Sequence, residues 1–197
     1  MLFRSTLCSL LARAMCNRVR SASVSAERVT SAQSRRRKRW RRSCWRFGNP
    51  PILGFCPGDR ADGTPKDTAR NIRLTHEFVV NLVDEKVAEA MNRTAAALPY
   101  GVSELQSAGL TTAASSAVNP PRIAESPASL ECKEWGTLQI GGNRLIIGLV
   151  KRVQVRDELF DPKTLRIRSE HFQVIGRMAS PNWYCRTQDR FEMIRPD

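Results

Sequence analysis

A chain of 197 residues holds one ordinary domain with an appendage, or two small ones. Hydrophobic residues make up 41% and charged residues 26%, which excludes a collagen-like, disulfide-scaffold or wholly disordered protein. The formal net charge of +13 is lopsided: residues 1–46 carry thirteen Lys/Arg and one acid, Glu27, for a net +12, and residues 47–197 are net +1. A basic field steering anions therefore cannot be inferred for the body from the total charge.

Residues 1–46 end in the run Arg35, Arg36, Arg37, Lys38, Arg39, Trp40, Arg41, Arg42 and admit three readings. A mitochondrial presequence is basic, Ser-rich and acid-poor, and Leu2, Phe3, Leu7, Leu10, Leu11 and Met15 supply an apolar helical stripe. An out-of-frame or misassigned start accounts for three of the six Cys and two of the four Trp falling in this quarter of the chain. A nucleic-acid arm would set the cationic run against phosphates. The expected division is a basic Arg/Ser-rich segment at 1–46 and a folded domain at 47–197.

Pro50-Pro51 fixes an extended entry, and Ile52, Leu53, Phe55 and Cys56 read as a short buried strand stopped by Pro57-Gly58. Residues 59–65 have loop composition, and a helix begins near Lys66 with Asp67 or Thr68 capping its first turn and Ala69 and Ile72 facing inward. Residues 77–83 are rich in β-branched and aromatic side chains and read as a strand. Asp84 is placed to cap a following helix with Val83, Val87, Met91 and Ala95 as its core stripe.

Residues 98–127 are Pro-, Ser- and Ala-rich and form a long excursion with a helical piece at 103–108. The strongest β signal is 129–157, where strands flank Gly141-Gly142-Asn143, a hairpin turn tolerant of positive φ. The alternation of the second arm changes phase at 148–151, which predicts a bulge or bend. After Asp161-Pro162 come a short helical turn, a strand near 172–175 and a closing stretch at 176–186. Short strands around a few helices predict a mainly β barrel with α elements.

The six cysteines, at 8, 16, 44, 56, 132 and 185, form no CxxC pair and read as scattered buried thiols in a reducing compartment. His76 and His171 are too few for a histidine-rich metal centre and read as surface or packing residues. The longest apolar stretch, 145–150, contains Gly148 and is far short of the ~20 residues that cross a bilayer. No membrane span is expected.

Several strings resemble the flavin reductase-like family of FMN-binding split-barrel proteins, which includes the reductase component of nitrilotriacetate monooxygenase and the flavoredoxins. They are Asn49-Pro50-Pro51; Pro65-Lys66-Asp67-Thr68 with Arg70-Asn71-Ile72; Glu77-Phe78-Val79-Val80-Asn81-Leu82; and Pro120-Pro121-Arg122-Ile123-Ala124-Glu125-Ser126-Pro127. Leu130-Glu131-Cys132 and Ile175-Gly176-Arg177-Met178 with Tyr184, Arg186-Thr187, Asp189 and Phe191-Glu192 follow in the family's order. The fold implied is a Greek-key split β-barrel, incomplete at its N-terminus, because residues 1–46 occupy the length of two family strands that line the flavin.

The resemblance implies a cofactor site drawn from Asn49, Thr64, Lys66, Asp67, Thr68 and Arg177, with no metal ligand. A loop feeding a helix N-terminus at 63–68 offers backbone N–H groups and a favourable dipole to a phosphate, with Lys66 as cation and Thr68 as hydroxyl. Asp67 reads as a cap, and Arg177 with Tyr184, Arg186 and Thr187 as lying near the flavin or a dimer surface. No catalytic triad, Cys-His nucleophile or glycosidase-like acid pair is recognisable, as suits an enzyme whose hydride chemistry belongs to the flavin ring. The implied function is an FMN-dependent oxidoreductase of flavin reductase type taking electrons from NAD(P)H. The alternatives are a defective flavin-binding remnant and a basic-tailed nucleic-acid-binding protein. A homodimer with flavin at the subunit interface is implied, in the cytoplasm, or in mitochondria if residues 1–46 are a presequence.

Overall fold

The computed structural model describes residues 50–96, 98–179, 181–194 and 196. The strand β1 (Ile52–Phe55) starts where Pro50 and Pro51 hold the chain extended, and is followed by helix α1 (Asp67–Thr75) and strand β2 (Glu77–Asn81). Two short helices, α2 (Ala88–Arg93) and α3 (Glu104–Ala108), and two-residue strands β3 (Thr112–Ala113) and β4 (Arg122–Ile123) make up the excursion. The long strands β5 (Ala128–Ile140) and β6 (Asn143–Val155) come next. They are followed by small hairpins of β7 (Phe160–Asp161) with β8 (Arg166–Ile167), and β9 (Ile175–Ala179) with β10 (Trp183–Arg186).

The main sheet has the order β1-β6-β5-β2, with every pair antiparallel. Its centre is the β5–β6 hairpin, in which Ile140 faces Asn143 across the two-residue turn Gly141-Gly142, with Gly141 at φ 58°. The turn is therefore one residue tighter than the three expected. The predicted phase change is present: Glu131 pairs with Arg152 and Cys132 with Val150, which makes Lys151 an extra residue on β6. A second irregularity makes Trp135 the extra residue on β5, between the pairs Glu134–Gly148 and Gly136–Ile147.

These bulges coil the sheet, as its aromatic side chains record. Phe55 on one edge strand and Phe78 on the other meet edge to face, with ring centroids 5.5 Å apart and planes at 62°. The Phe78 ring lies over Gly148, which has no side chain to occupy that space. Leu53, Ile72, Leu130, Cys132, Ile146 and Val153 complete the core around them. Among the described residues β1 and β2 remain sheet edges, so the sheet is curled and open, a mainly β barrel-like arrangement that does not close.

Several local expectations are corrected. β1 is an edge strand and not a buried one, with Ile52 56% exposed and Cys56 exposed. The thiols are thus not uniformly buried: Cys132 is fully enclosed and Cys185 is intermediate. α2 is only six residues long and buries none of them, so the stripe Val83, Val87, Met91, Ala95 is no core face. Asp84 is itself buried; its Oδ1 accepts the Val87 N–H at 3.3 Å and its Oδ2 accepts from Arg156 Nη2 at 2.5 Å. The turn expected after Asp161-Pro162 is present at residues 162–165, where the Leu165 N–H donates to the Asp161 carbonyl at 2.8 Å; a further 3-10 turn at Asp157–Leu159 precedes it, and the strand expected near 172–175 begins only at Ile175.

One buried carboxylate anchors the excursion to the sheet. Glu131 is 0% exposed and accepts the backbone N–H groups of Ser116, at 3.1 and 3.0 Å, and of Ala117, at 2.5 Å, together with the Gln154 side-chain amide. A carboxyl group can stay inside only where such donors replace its water. The segment is held further where Asn119 donates to Glu77 Oε2 from both its backbone and side chain at 2.8 Å, which with Lys133 holds the Glu77 carboxyl below its ordinary range.

Candidate functional site

The start of α1, where the expected cofactor residues Thr64, Lys66, Asp67 and Thr68 lie, is an uncapped helix N-terminus. Lys66 takes the N-cap position with extended backbone, φ −62° and ψ 153°, and no side chain caps the helix. The first N–H with an intrahelical acceptor is that of Arg70, bonded to the Lys66 carbonyl at 3.0 Å. The N–H groups of Asp67, Thr68 and Ala69 precede it and have no acceptor within the helix. Neither Asp67 nor Thr68 is the cap, because each lies inside the first turn.

The loop before the helix is pinned from within. Arg60 closes it, donating from Nη1 to the Pro65 carbonyl at 2.8 Å and from Nη2 to Asp67 Oδ1 at 2.7 Å, and its backbone N–H donates to the Thr64 carbonyl at 2.8 Å. The Asp67 carboxylate is thereby neutralised locally, and the Arg60 guanidinium is held above its usual pKa by that same hydrogen bond. Thr64 donates its hydroxyl to Asp62 Oδ1 at 2.6 Å and its N–H at 2.9 Å, which keeps the Asp62 carboxyl below the usual range. Thr64 and Asp67 therefore serve the turn, while Lys66 and Thr68 stand exposed without a side-chain partner among the described residues.

This donor set fits a phosphate monoester. Three backbone N–H groups without an intrahelical acceptor lie beside the exposed Lys66 and Thr68, where the only carboxylate of the helix's first turn is already paired with Arg60. A phosphate bound there would touch the protein through backbone as much as through side chains.

Arg177 lies in a different place. It sits on β9, donating from Nη2 to the Pro181 carbonyl at 2.7 Å and from Nη1 to the Tyr184 hydroxyl at 3.3 Å, with its guanidinium carbon 5.6 Å from the Tyr184 ring centre. It lines a cleft of about 610 Å³ with Glu85, Met91, Asn92, Tyr184 and Arg186, none of which belongs to the 63–68 loop. In that cleft Arg186 Nε donates to Glu85 Oε1 at 2.8 Å and lowers the Glu85 carboxyl pKa. The structure thus gathers Thr64, Lys66, Asp67 and Thr68 at one site and sets Arg177 in another. Asn49 and the readings of residues 1–46 fall outside the described residues.

Arg60 and Tyr100 are the site residues that sequence reasoning passed over. Arg60 lies seven residues before Asp67 with no helical spacing to announce the pair, and Tyr100 reaches α1 from 29 residues beyond Asn71. No helix among the described residues is long and apolar enough to cross a membrane. No group of three or more potential metal ligands is found among them.

The model of the flavin reductase like domain matches residues 48–176, from the approach to β1 through the loop before α1 to the first residues of β9. The chain belongs to the flavin reductase-like family. A protein of Deinococcus radiodurans is 41% identical over 147 residues, which span 74% of this chain and 65% of that relative. Nitrilotriacetate monooxygenase component B from Bacillus cereus is 34% identical, with a TM-score of 0.68 over 74% of this chain and 73% of its own. A flavin reductase with a split barrel domain from Shewanella frigidimarina, 22% identical, superposes with a TM-score of 0.64 over 77% of this chain and 74% of its own. The open, coiled sheet is accordingly a split-barrel flavin reductase fold that is incomplete among the described residues.

Proposed function

We propose that this flavin reductase-like protein is a flavin-dependent oxidoreductase that binds FMN and takes reducing equivalents from a reduced nicotinamide nucleotide. The observation that carries this reading is the uncapped start of α1, where N–H groups without an intrahelical acceptor lie beside the exposed Lys66 and Thr68 and Arg60 pairs with Asp67. FMN differs from riboflavin by the phosphate that such a site selects. Lys66 contributes charge, Thr68 a hydroxyl that donates to a phosphate oxygen, and Arg60 holds the loop in register. Bound flavin supplies hydride-accepting chemistry that no side chain of the protein possesses. The three described thiols are unpaired, in keeping with a cytoplasmic setting.

The protein is further read as a homodimer. β2 pairs with β5 only over residues 129–133, and beyond it the β5 arm carries Trp135, Leu138 and Ile140 at 71%, 56% and 67% exposure. A free strand edge beside exposed apolar side chains favours a second copy of the chain.

A second reading is a flavin-binding protein without turnover, favoured by the open edges at β1 and β2. The visible spectrum of the purified full chain with added FMN, followed by NAD(P)H oxidation, separates the two. Bound flavin with turnover supports the oxidoreductase, and bound flavin without turnover supports the remnant. Absence of flavin binding refutes both, and salt-sensitive nucleic-acid binding alone would return the function to residues 1–46.

A further inference from the structure

The cations along α1 are not equivalent. Arg60 is spent on Asp67 and Pro65, whereas Lys66, Arg70 and Arg73 are exposed and make no hydrogen bond or ion pair with the described residues. Arg70 and Arg73 share one side of the helix, with Lys66 one turn before them. Most other arginines of the domain are engaged: Arg144 with Asp59, Arg156 with Asp84, Arg186 with Glu85, and Arg93, Arg168, Arg177 and Arg190 with backbone carbonyls.

Arg70 is the one of the three that is held in place. Its guanidinium carbon lies 3.9 Å above the centre of the Tyr100 ring, and the Tyr100 hydroxyl donates to Asn71 Oδ1 at 3.3 Å. The ring binds the face of the guanidinium, so its N–H donors, which lie in the guanidinium plane, stay free. The result is a fixed fork of unused donors, suited to two phosphate oxygens at once. Tyr100 itself remains 49% exposed, and a half-exposed aromatic ring offers a stacking surface to a purine.

A fork for a phosphate beside a platform for a base describes phosphorylated adenosine. The flavin phosphate, on the reading above, is met by Lys66, Thr68 and the helix N-terminus, one helical turn or about 6 Å before Arg70. A second anion, distinct from the flavin phosphate, would be the one within reach of Arg70 and Arg73. We propose that the Arg70–Tyr100 stack, extended by Arg73, binds the phosphorylated adenosine end of the nicotinamide donor, so that the protein binds NADPH more tightly than NADH. This assignment rests on reading the start of α1 as the flavin phosphate site, since otherwise Arg70 could belong to the same phosphate.

The test uses the full chain and two probes, adenosine 2′,5′-bisphosphate and 5′-AMP, titrated calorimetrically with and without FMN. The bisphosphate is expected to bind about tenfold or more tightly than 5′-AMP, the worth of a charge-assisted pair. Arg70→Met, which keeps the stem, removes that advantage, and Tyr100→Leu weakens both nucleotides. Urea midpoints of both variants show whether the fold persists, and Arg70→Lys, which keeps charge without the planar fork, retains only part of the preference. Equal affinity for the two probes, no binding of either, or an unchanged preference in Arg70→Met overturns the proposal. So does an Arg70→Met variant that loses FMN affinity but keeps riboflavin affinity, because Arg70 would then serve the flavin phosphate. A protein that fails to bind FMN yet discriminates the two probes refutes the flavin reading and leaves the Arg70 site standing.

Discussion

Replacing Gly148 by alanine adds a single methyl group at the point where the two edges of the sheet converge. That methyl would stand 2.4 Å from Phe78 Cζ, 3.0 Å from Phe78 Cε1 and 3.3 Å from Cys132 Cβ. Ordinary carbon contacts lie at about 3.5 to 4.0 Å, so the ring must retreat by about 1 Å. It has little room, since Phe78 is 7% exposed and is bounded by Phe55 and the fully enclosed Cys132. Overpacking of this kind costs roughly 1 to 3 kcal/mol, and the restricted unfolded chain of an alanine variant offsets roughly 0.4 to 1 kcal/mol of it. A net loss of about 1 to 2 kcal/mol is expected, which a urea slope of about 1 to 3 kcal/mol/M turns into a midpoint lower by roughly 0.5 to 1 M. The decisive comparison adds Phe78→Leu. If the clash is with the ring, Gly148→Ala costs clearly less in the Phe78→Leu background than alone, a coupling of roughly 0.5 to 2 kcal/mol. An unchanged midpoint in Gly148→Ala, or strict additivity in the double variant, would refute the idea that the coiled sheet depends on this vacancy.

Lys66→Ala and Thr68→Ala are each expected to weaken FMN binding by roughly 1 to 3 kcal/mol while leaving riboflavin affinity and the urea midpoint unchanged; equal losses for both flavins defeat the phosphate assignment. Cys132 carries a pH signature: burial first, and the Glu131 carboxylate second, push its thiol from 9.0 to about 12. The unfolded chain therefore loses this proton before the folded chain does, so the contribution is complete below pH 9 and falls between about 9 and 12, with a limiting slope of about 1.4 kcal/mol per pH unit. The gap in urea midpoint between wild type and Cys132→Ala should narrow over that interval, and a constant gap would contradict it. Light scattering should report a dimer, and Trp135→Glu on the exposed β5 arm should raise its dissociation constant at least about tenfold through a buried unpaired charge; an unaffected dimer places the interface elsewhere.

Much of the domain was legible in the chain. Pro50-Pro51, the β-branched run before Leu82, the Gly141-Gly142 turn and the phase change before Lys151 each act within a few residues, and each produced the element its local chemistry requires. The helix start after the 63–68 loop was legible for the same reason, since a helix start and its unpaired N–H groups are contiguous in the chain. The Val83, Val87, Met91, Ala95 period misled because a four-residue repeat reports only that one side of a helix is apolar; whether anything covers that side depends on the rest of the fold, and here α2 lies with no residue buried.

The amino-acid sequence by itself determined where strands, turns and the α1 start fall, and which family the chain resembles, because those features are set by neighbours along the backbone. Tertiary structure alone decided which side chains at the site are free. Arg60 took Asp67 out of the site, Asp62 took Thr64, Tyr100 fixed Arg70, and the β9–β10 hairpin carried Arg177 into another cleft. Whether a side chain is spent or available is settled by partners brought near through folding. Tyr100 lies 30 residues from Arg70, too far for spacing to reveal the contact, and even the short Asp62–Thr64, Arg60–Asp67 and Arg177–Tyr184 links, made in a loop or across a hairpin, have no regular helical or strand spacing to announce them.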